Sequence, residues 1–152
     1  VSCALPGYMY YADKFWPAEK ELHIQQVKME PLAVGQITDV RDISFLGDKT
    51  EIYHKSKPAL MEIVEFMKMN PTVKIAVIGH VNGPDNAKSQ KFYTKASLAR
   101  AKAVVDFLVS QGISEDRLTS EGVGNTQMLY PDPQTEWQND ANRRIQIKVT
   151  EV

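Results

Sequence analysis

No apolar run in this chain approaches the ~20 residues that a membrane-spanning helix needs, and no basic-then-apolar leader opens it. Its start at Val1, close to an aromatic cluster, reads as a mature or excised portion of a protein. Cysteine is almost missing: the one thiol, Cys3, excludes an internal disulfide and says nothing further about compartment. Excess charge is missing as well. Against 19 Asp and Glu stand 18 Lys and Arg, a formal charge of -1, which removes the electrostatic reason to expect nucleic acid or an anionic membrane surface as the main partner. His23, His54 and His80 lie in unrelated segments, with no Cys or carboxylate at ligand spacing around His80, so no metal site is predicted. A Ser or Cys nucleophile with a placed histidine is also lacking, and neither catalysis nor a cofactor is expected. What is present is ordinary for one globular domain and a modest appendage: 152 residues, 43% hydrophobic and 24% charged, enough to bury a real core.

The chain is organised around residues 74–100. Ile75, Ala76, Val77 and Ile78 are apolar at both parities, which predicts an inner strand covered on both faces, with helices on it. The run breaks at Gly79-His80-Val81-Asn82-Gly83-Pro84, and a helical pattern begins near Lys95. A loop supported by a strand before it and a helix after it can converge backbone N–H groups and polar side chains on a small charged ligand. It is the candidate site. His80, between strand and loop, reads as a structural, hydrogen-bonded histidine.

Residues 1–34 differ from the rest. Tyr8, Tyr10, Tyr11, Phe15 and Trp16 crowd together, and Leu22, Ile24 and Val27 partly alternate with polar residues before Pro31. One or two strands are predicted, either packed on the main domain or forming the tail of a preceding β-rich domain or linker. The main domain spans 35–152. Val40, Ile43 and Phe45 mark a strand from Ile37, and Ser56 and Pro58 suit the start of a helix whose buried face is Leu60, Ile63, Val64 and Met67, stopped by Asn70-Pro71. Leu98, Ala101, Val105 and Leu108, widened by Val104 and Val109, predict a second helix ended by a left-handed Gly112. A third strand is expected near Arg117 to Gly122, then a polar loop from Gly124 to Asn142 in which covering the sheet end is favoured for Tyr130 and Trp137 over stacking a sugar. Ile145, Ile147 and Val149 alternate with polar residues in a half-covered last strand. The class is α+β, a βαβαββ arrangement: a mixed sheet with two long helices on one face.

Three blocks carry a resemblance. Gly79-His80-Val81-Asn82, Ser97-Leu98-Ala99-Arg100-Ala101 and Asn142-Arg143-Arg144-Ile145 follow the order of the G-H-T-D, N-x-x-L-S-x-x-R-A and N-R-R blocks of the OmpA C-terminal (OmpA/MotB-like) peptidoglycan-binding domain. From about Ile37 to Val152 the chain resembles that family. More weakly, Gly7-Tyr8-Met9-Tyr10-Tyr11 resembles the end of a carboxypeptidase-regulatory-like β-sandwich. The resemblance implies non-catalytic binding of the peptidoglycan stem peptide at diaminopimelate, in the periplasm and in association with the outer membrane, with envelope or secretion-system proteins as partners. It implies a loop Asp facing the ligand ammonium and Arg100 facing its carboxylate, a pairing that suits a bidentate guanidinium.

The departures from the pattern matter too. Asn82 stands where the family has Asp; an amide oxygen can accept from an ammonium but cannot neutralise it. Tyr93 occupies the usual Asn position and Ala96 the usual Leu. The loop is longer, placing Asp85 fifteen residues before Arg100, the separation the family's Asp keeps, so Asp85 either replaces the lost charge or is a turn residue beside Pro84. Arg143 and Arg144 should point to opposite faces if the strand has begun, with Arg144 on the ligand side and Arg143 solvated. The expected ligand-binding set is Val81, Asn82, Asp85, Tyr93, Arg100 and Arg144. An interaction module that kept the fold and lost the ligand is the competing expectation, favoured by Asn82 and Tyr93.

Overall fold

The computed structural model describes residues 2–12, 26–40, 42–46, 49–84 and 87–152. Val1, Phe15, Trp16, Leu22, His23, Ile24 and Asp85, used in the sequence reading above, lie outside the described residues. Two short strands, β1 (Ser2–Cys3) and β2 (Tyr11–Ala12), pair antiparallel. The main body runs β3 (Ile37–Val40), α1 (Lys57–Met69), β4 (Lys74–Gly79), α2 (Ala87–Ser110), β5 (Leu118–Gly122), α3 (Glu136–Asn142) and β6 (Ile145–Glu151). Its four-stranded sheet has the order β3-β6-β4-β5, with β4 parallel to β5 and β6 antiparallel to both β3 and β4. The fold is α+β with a mixed sheet, as the pattern predicts.

Register follows from the alternation in β6. Ile145, Ile147 and Val149 pair with Gly79, Val77 and Ile75 of β4, so one face of the sheet carries the apolar set and meets the helices. The opposite parity of β4, Ala76 and Ile78, is also buried, but it lies beside Lys148 and Gln146 rather than beneath helices. Leu60, Ile63, Val64, Phe66 and Met67 of α1 complete the core together with Ala101, Val104 and Leu108 of α2. The segment before β3 joins this core through Met9 and Tyr10, whose ring lies 5.7 Å from that of Phe66, while the Gly7 N–H donates to Asn70 Oδ1. Arg117 stitches the end of α1 to β4 by donating to the carbonyls of Met67, Asn70 and Val73, orphan acceptors at a helix terminus.

Several local expectations are corrected. Ser56 precedes α1, but its side chain makes no cap bond; its hydroxyl instead accepts from the Ser44 N–H at 2.9 Å. The first strand stops at Val40, and Phe45 reaches only an isolated bridge with Ile52. Helix α2 starts at Ala87 rather than near Lys95, because its first turns are exposed and carry no apolar stripe. Its buried line is Ser97, Ala101, Val104 and Leu108, while Leu98 and Val105 are only half-buried and Val109 is exposed. The cause is close approach. A Cβ on Gly122 would lie 2.6 Å from the Thr94 carbonyl oxygen and 2.7 Å from Leu98 Cα, and one on Gly79 would lie 2.8 Å from the Ser97 carbonyl carbon. Backbone, not a large side chain, is therefore what α2 presents to the sheet at this end. The helix closes as expected, with Gly112 at φ 89° and the Ile113 and Gly112 N–H groups bonded to the Leu108 and Val109 carbonyls.

Candidate functional site

The loop after β4 is held by backbone and amide bonds. Val81 donates to the Gly124 carbonyl at 3.0 Å, Val123 donates to the Gly79 carbonyl, and the buried Asn125 amide donates to the carbonyls of Gly83 and Pro84. Val81 is thus buried, with its N–H committed inside the protein. Tyr93 lies against Gly83: a Cβ there would come within 2.8 Å of its ring. Asn82 takes part in a chain of amides. Its Nδ2 donates to Asn139 Oδ1 at 2.9 Å, and its Oδ1 accepts from Asn142 Nδ2 at 2.8 Å. Asn142, fully buried, also clamps the Tyr130 backbone from both sides.

Arg100 faces elsewhere. It is 9% exposed and lies in the wall of a groove of about 810 Å³, formed where the exit of β3, the middle of α2 and the α3 region meet. Asp39, Asp42, Phe45, Leu129, Trp137, Asp140, Arg143 and Arg144 share the lining. The Arg100 guanidinium carbon stands 5.1 Å from the Phe45 ring centroid, a cation–π contact. Asp42 adopts the left-handed backbone at φ 64°, a conformation that Asp tolerates better than most residues. Of the expected set, the structure brings Arg100 and Arg144 into one groove, while Val81, Asn82 and Tyr93 are not among the residues that line it.

The relation of Arg143 to Arg144 is also corrected. Strand β6 begins only at Ile145, Arg143 is the C-cap of α3, and strand alternation does not apply to the pair; both arginines line the groove. Arg143 is not a solvated charge but is ion-paired to Glu136 and Asp140 at 2.5 and 2.6 Å. Arg144 Nε ion-pairs with Asp39 Oδ1 at 3.3 Å, short of hydrogen-bond geometry, and Nη2 donates to the Gln127 carbonyl; the buried Nη1 has no hydrogen-bond acceptor among the described residues. Behind it, Gln146 donates to Asp39 and its oxygen meets His80 Nε2 at 2.8 Å. Burial, then the positive Arg144, lower the His80 pKa to about 4, so this ring is neutral and structural.

The polar stretch 124–142 contains α3, which sequence periodicity missed because seven residues make barely two turns. A signal was available: Thr135 and Gln138 form a reciprocal capping box, the S/T-x-x-E/Q signature of a helix start. With α3 come Trp137, Asp140 and Arg143. Trp137 is 60% exposed and does not cover the sheet end. Among the described residues no group of three or more His, Cys, Asp or Glu could hold a metal ion, and no helix is long and apolar enough to cross a membrane.

Residues 44–143 match the OmpA family, and the chain belongs to it. Outer membrane porin F of Pseudomonas fluorescens is 32% identical over 119 residues, covering 76% of this chain and 35% of the porin. The peptidoglycan-binding protein ArfA of Mycobacterium bovis is 26% identical over 151 residues, 91% of this chain and 45% of that protein. The periplasmic domain of Helicobacter pylori MotB superposes with a TM-score of 0.66 at 19% identity, covering 80% of this chain and 77% of that one, a likeness of fold. The chain spans less than half the length of the curated relatives it matches.

Proposed function

We propose that this domain binds the peptide stem of peptidoglycan at its diaminopimelate residue, without catalysis, and so fixes a larger envelope assembly to the cell wall in the periplasm, at the outer membrane. The observation that carries this reading is the groove itself. A nearly buried Arg100 and Arg144 share one concavity with Asp39, Asp42 and Asp140. Guanidinium and carboxylate groups set in one wall suit a ligand end that carries both a carboxylate and an ammonium. Val81, Asn82, Asp85 and Tyr93 belong to the proposed ligand-binding set as well. Membership of the OmpA family and the likeness to the peptidoglycan-binding protein ArfA support the same reading. As for the assembly, the residue 7–11 resemblance favours a type IX secretion complex, with this chain similar to its component PorE.

Titrating a diaminopimelate stem peptide by calorimetry tests the reading. Arg100→Ala should weaken binding by ~1.5 to 3 kcal/mol, roughly ten- to a hundredfold, with the fold intact by circular dichroism. Unchanged affinity in a folded variant removes Arg100 from the site. A second reading, an interaction module that lost the ligand, is favoured by Asn82, whose amide is bonded to two neutral amides where the family has a charge. Failure of the unaltered protein to bind either the peptide or purified sacculi would select it.

A further inference from the structure

The charged groove does not end at its charges. On one side it opens onto an apolar shelf: Trp137 is 60% exposed, Leu129 is 53% exposed, and both line the same cavity as Arg100. The shelf is rigidly built. The Tyr130 ring stands edge-on to Trp137 at 5.0 Å and 78°, and the Tyr130 backbone is clamped by both ends of the buried Asn142 amide, through its N–H at 2.9 Å and its carbonyl at 2.7 Å. Trp137 itself sits in the first turn of α3, which the Thr135–Gln138 capping box fixes. The fold therefore holds a large aromatic face out to solvent when it could have turned it inward, and contiguous exposed apolar surface on a groove rim marks contact with something.

We propose that this shelf binds the glycan of peptidoglycan, by stacking a sugar ring of the strand on Trp137; the inference rests on the stem-peptide reading of the groove. Three features select a sugar. A pyranose has one face of slightly positive C–H groups, which suits the negative face of an indole, and a rim of hydroxyl and acetamido groups that needs polar partners. Such partners stand beside the indole. Asp140 lies at i+3 from Trp137 on α3, and Arg143 follows it, the two paired to each other at 2.6 Å. Position agrees as well. In the peptidoglycan stem two residues separate diaminopimelate from the lactyl group that joins it to the sugar, a span of ~7 Å at ~3.5 Å per extended residue. A stem held at Arg100 therefore needs its sugar site close by, and Trp137 lines the same cavity, a continuity that a partner protein would not need.

The test compares two ligands and three proteins by calorimetry: the free stem peptide, and the same stem joined to its N-acetylglucosamine–N-acetylmuramic acid disaccharide, against the full chain, Trp137→Ala and Trp137→Phe. The unaltered chain should bind the disaccharide-bearing stem about tenfold more tightly than the bare stem. Trp137→Ala should erase that preference, so that this variant binds the disaccharide-bearing stem no more tightly than it binds the bare stem, and Trp137→Phe should retain part of it. Equal affinity of the unaltered chain for the two ligands overturns the glycan shelf and leaves the stem reading standing. A preference that survives Trp137→Ala also overturns it. If the disaccharide-bearing stem binds through Trp137 while the bare stem does not bind at all, the shelf stands and the stem reading falls; if neither binds, both fall.

Discussion

Replacing Gly79 by Ala tests the idea that α2, and with it Arg100, is seated on the sheet by backbone contact. The added methyl would lie 2.8 Å from the Ser97 carbonyl carbon, and nearer still to its oxygen, inside the 3.0 Å that real Cβ atoms respect. No flexible side chain can swing away, because the obstruction is helix backbone. Helix α2 must therefore retreat by ~1 Å, loosening the contacts of Ala101, Val104 and Leu108 one to three turns further along. Forced overpacking of this kind costs ~1 to 3 kcal/mol, and a backbone obstacle places Gly79→Ala at ~2 to 3 kcal/mol. With a urea m-value of ~1.5 to 2 kcal/mol/M, the denaturation midpoint should fall by ~1 to 2 M at unchanged m. Gly83→Ala serves as the control. Its new methyl would meet only the far end of the Tyr93 side chain, which can rotate, so its shift should be less than half as large. Equal midpoints for Gly79→Ala and the unaltered protein would refute the seating argument.

Leu108→Ala, at a fully buried position in the core between α2 and the sheet, should cost ~2 to 5 kcal/mol in the same denaturation assay, through lost burial and a residual cavity. His80 supplies a pH dependence: its folded pKa near 4 lies below the ordinary 6.5, so its contribution to stability is complete above pH ~6.5 and is lost as pH falls towards 4, where the unfolded chain alone has taken the proton. Thermal melts of the unaltered protein and His80→Gln between pH 7 and 4 should therefore converge as pH falls, and parallel curves would rule out that histidine as the cause.

Elements with an uninterrupted apolar period were readable from the sequence. Leu60, Ile63, Val64 and Met67 of α1 are buried as spaced, and the alternation of Ile145, Ile147 and Val149 sets the register of β6. Helix α2 was read late and slightly rotated, because Gly79 and Gly122 draw its backbone against the strands and put Ser97 where periodicity would seek a large apolar residue. Propensity does not record such an approach. The groove was less readable still. Asp39, Phe45, Arg100, Trp137 and Arg144 come from three stretches that only the sheet order brings together, and none is singled out by its immediate neighbours. Arg100 and Arg144 were found through motif blocks, not through any local physical signal.

The substitution at position 82 gains a different meaning once α3 is placed. A carboxylate there could accept from Asn142 but could not donate to Asn139 Oδ1, so it would have to turn the Asn139 amide round, away from the Glu136 carboxylate to which its Nδ2 now donates at 3.2 Å. An amide does both jobs at once, because it carries a donor and an acceptor on one planar group. Asn82 therefore ties the loop after β4 to α3 from its middle to its last residue, and α3 is the element that carries Trp137, Asp140 and Arg143 into the groove. The lost charge and the placed helix follow from the same residue. A carboxylate at 82 would leave α3 with one tie fewer, whereas Asn82 fixes the wall of the groove; under the proposed function, recognition of the ligand ammonium would then fall to carboxylates that line it, such as Asp39, Asp42 and Asp140.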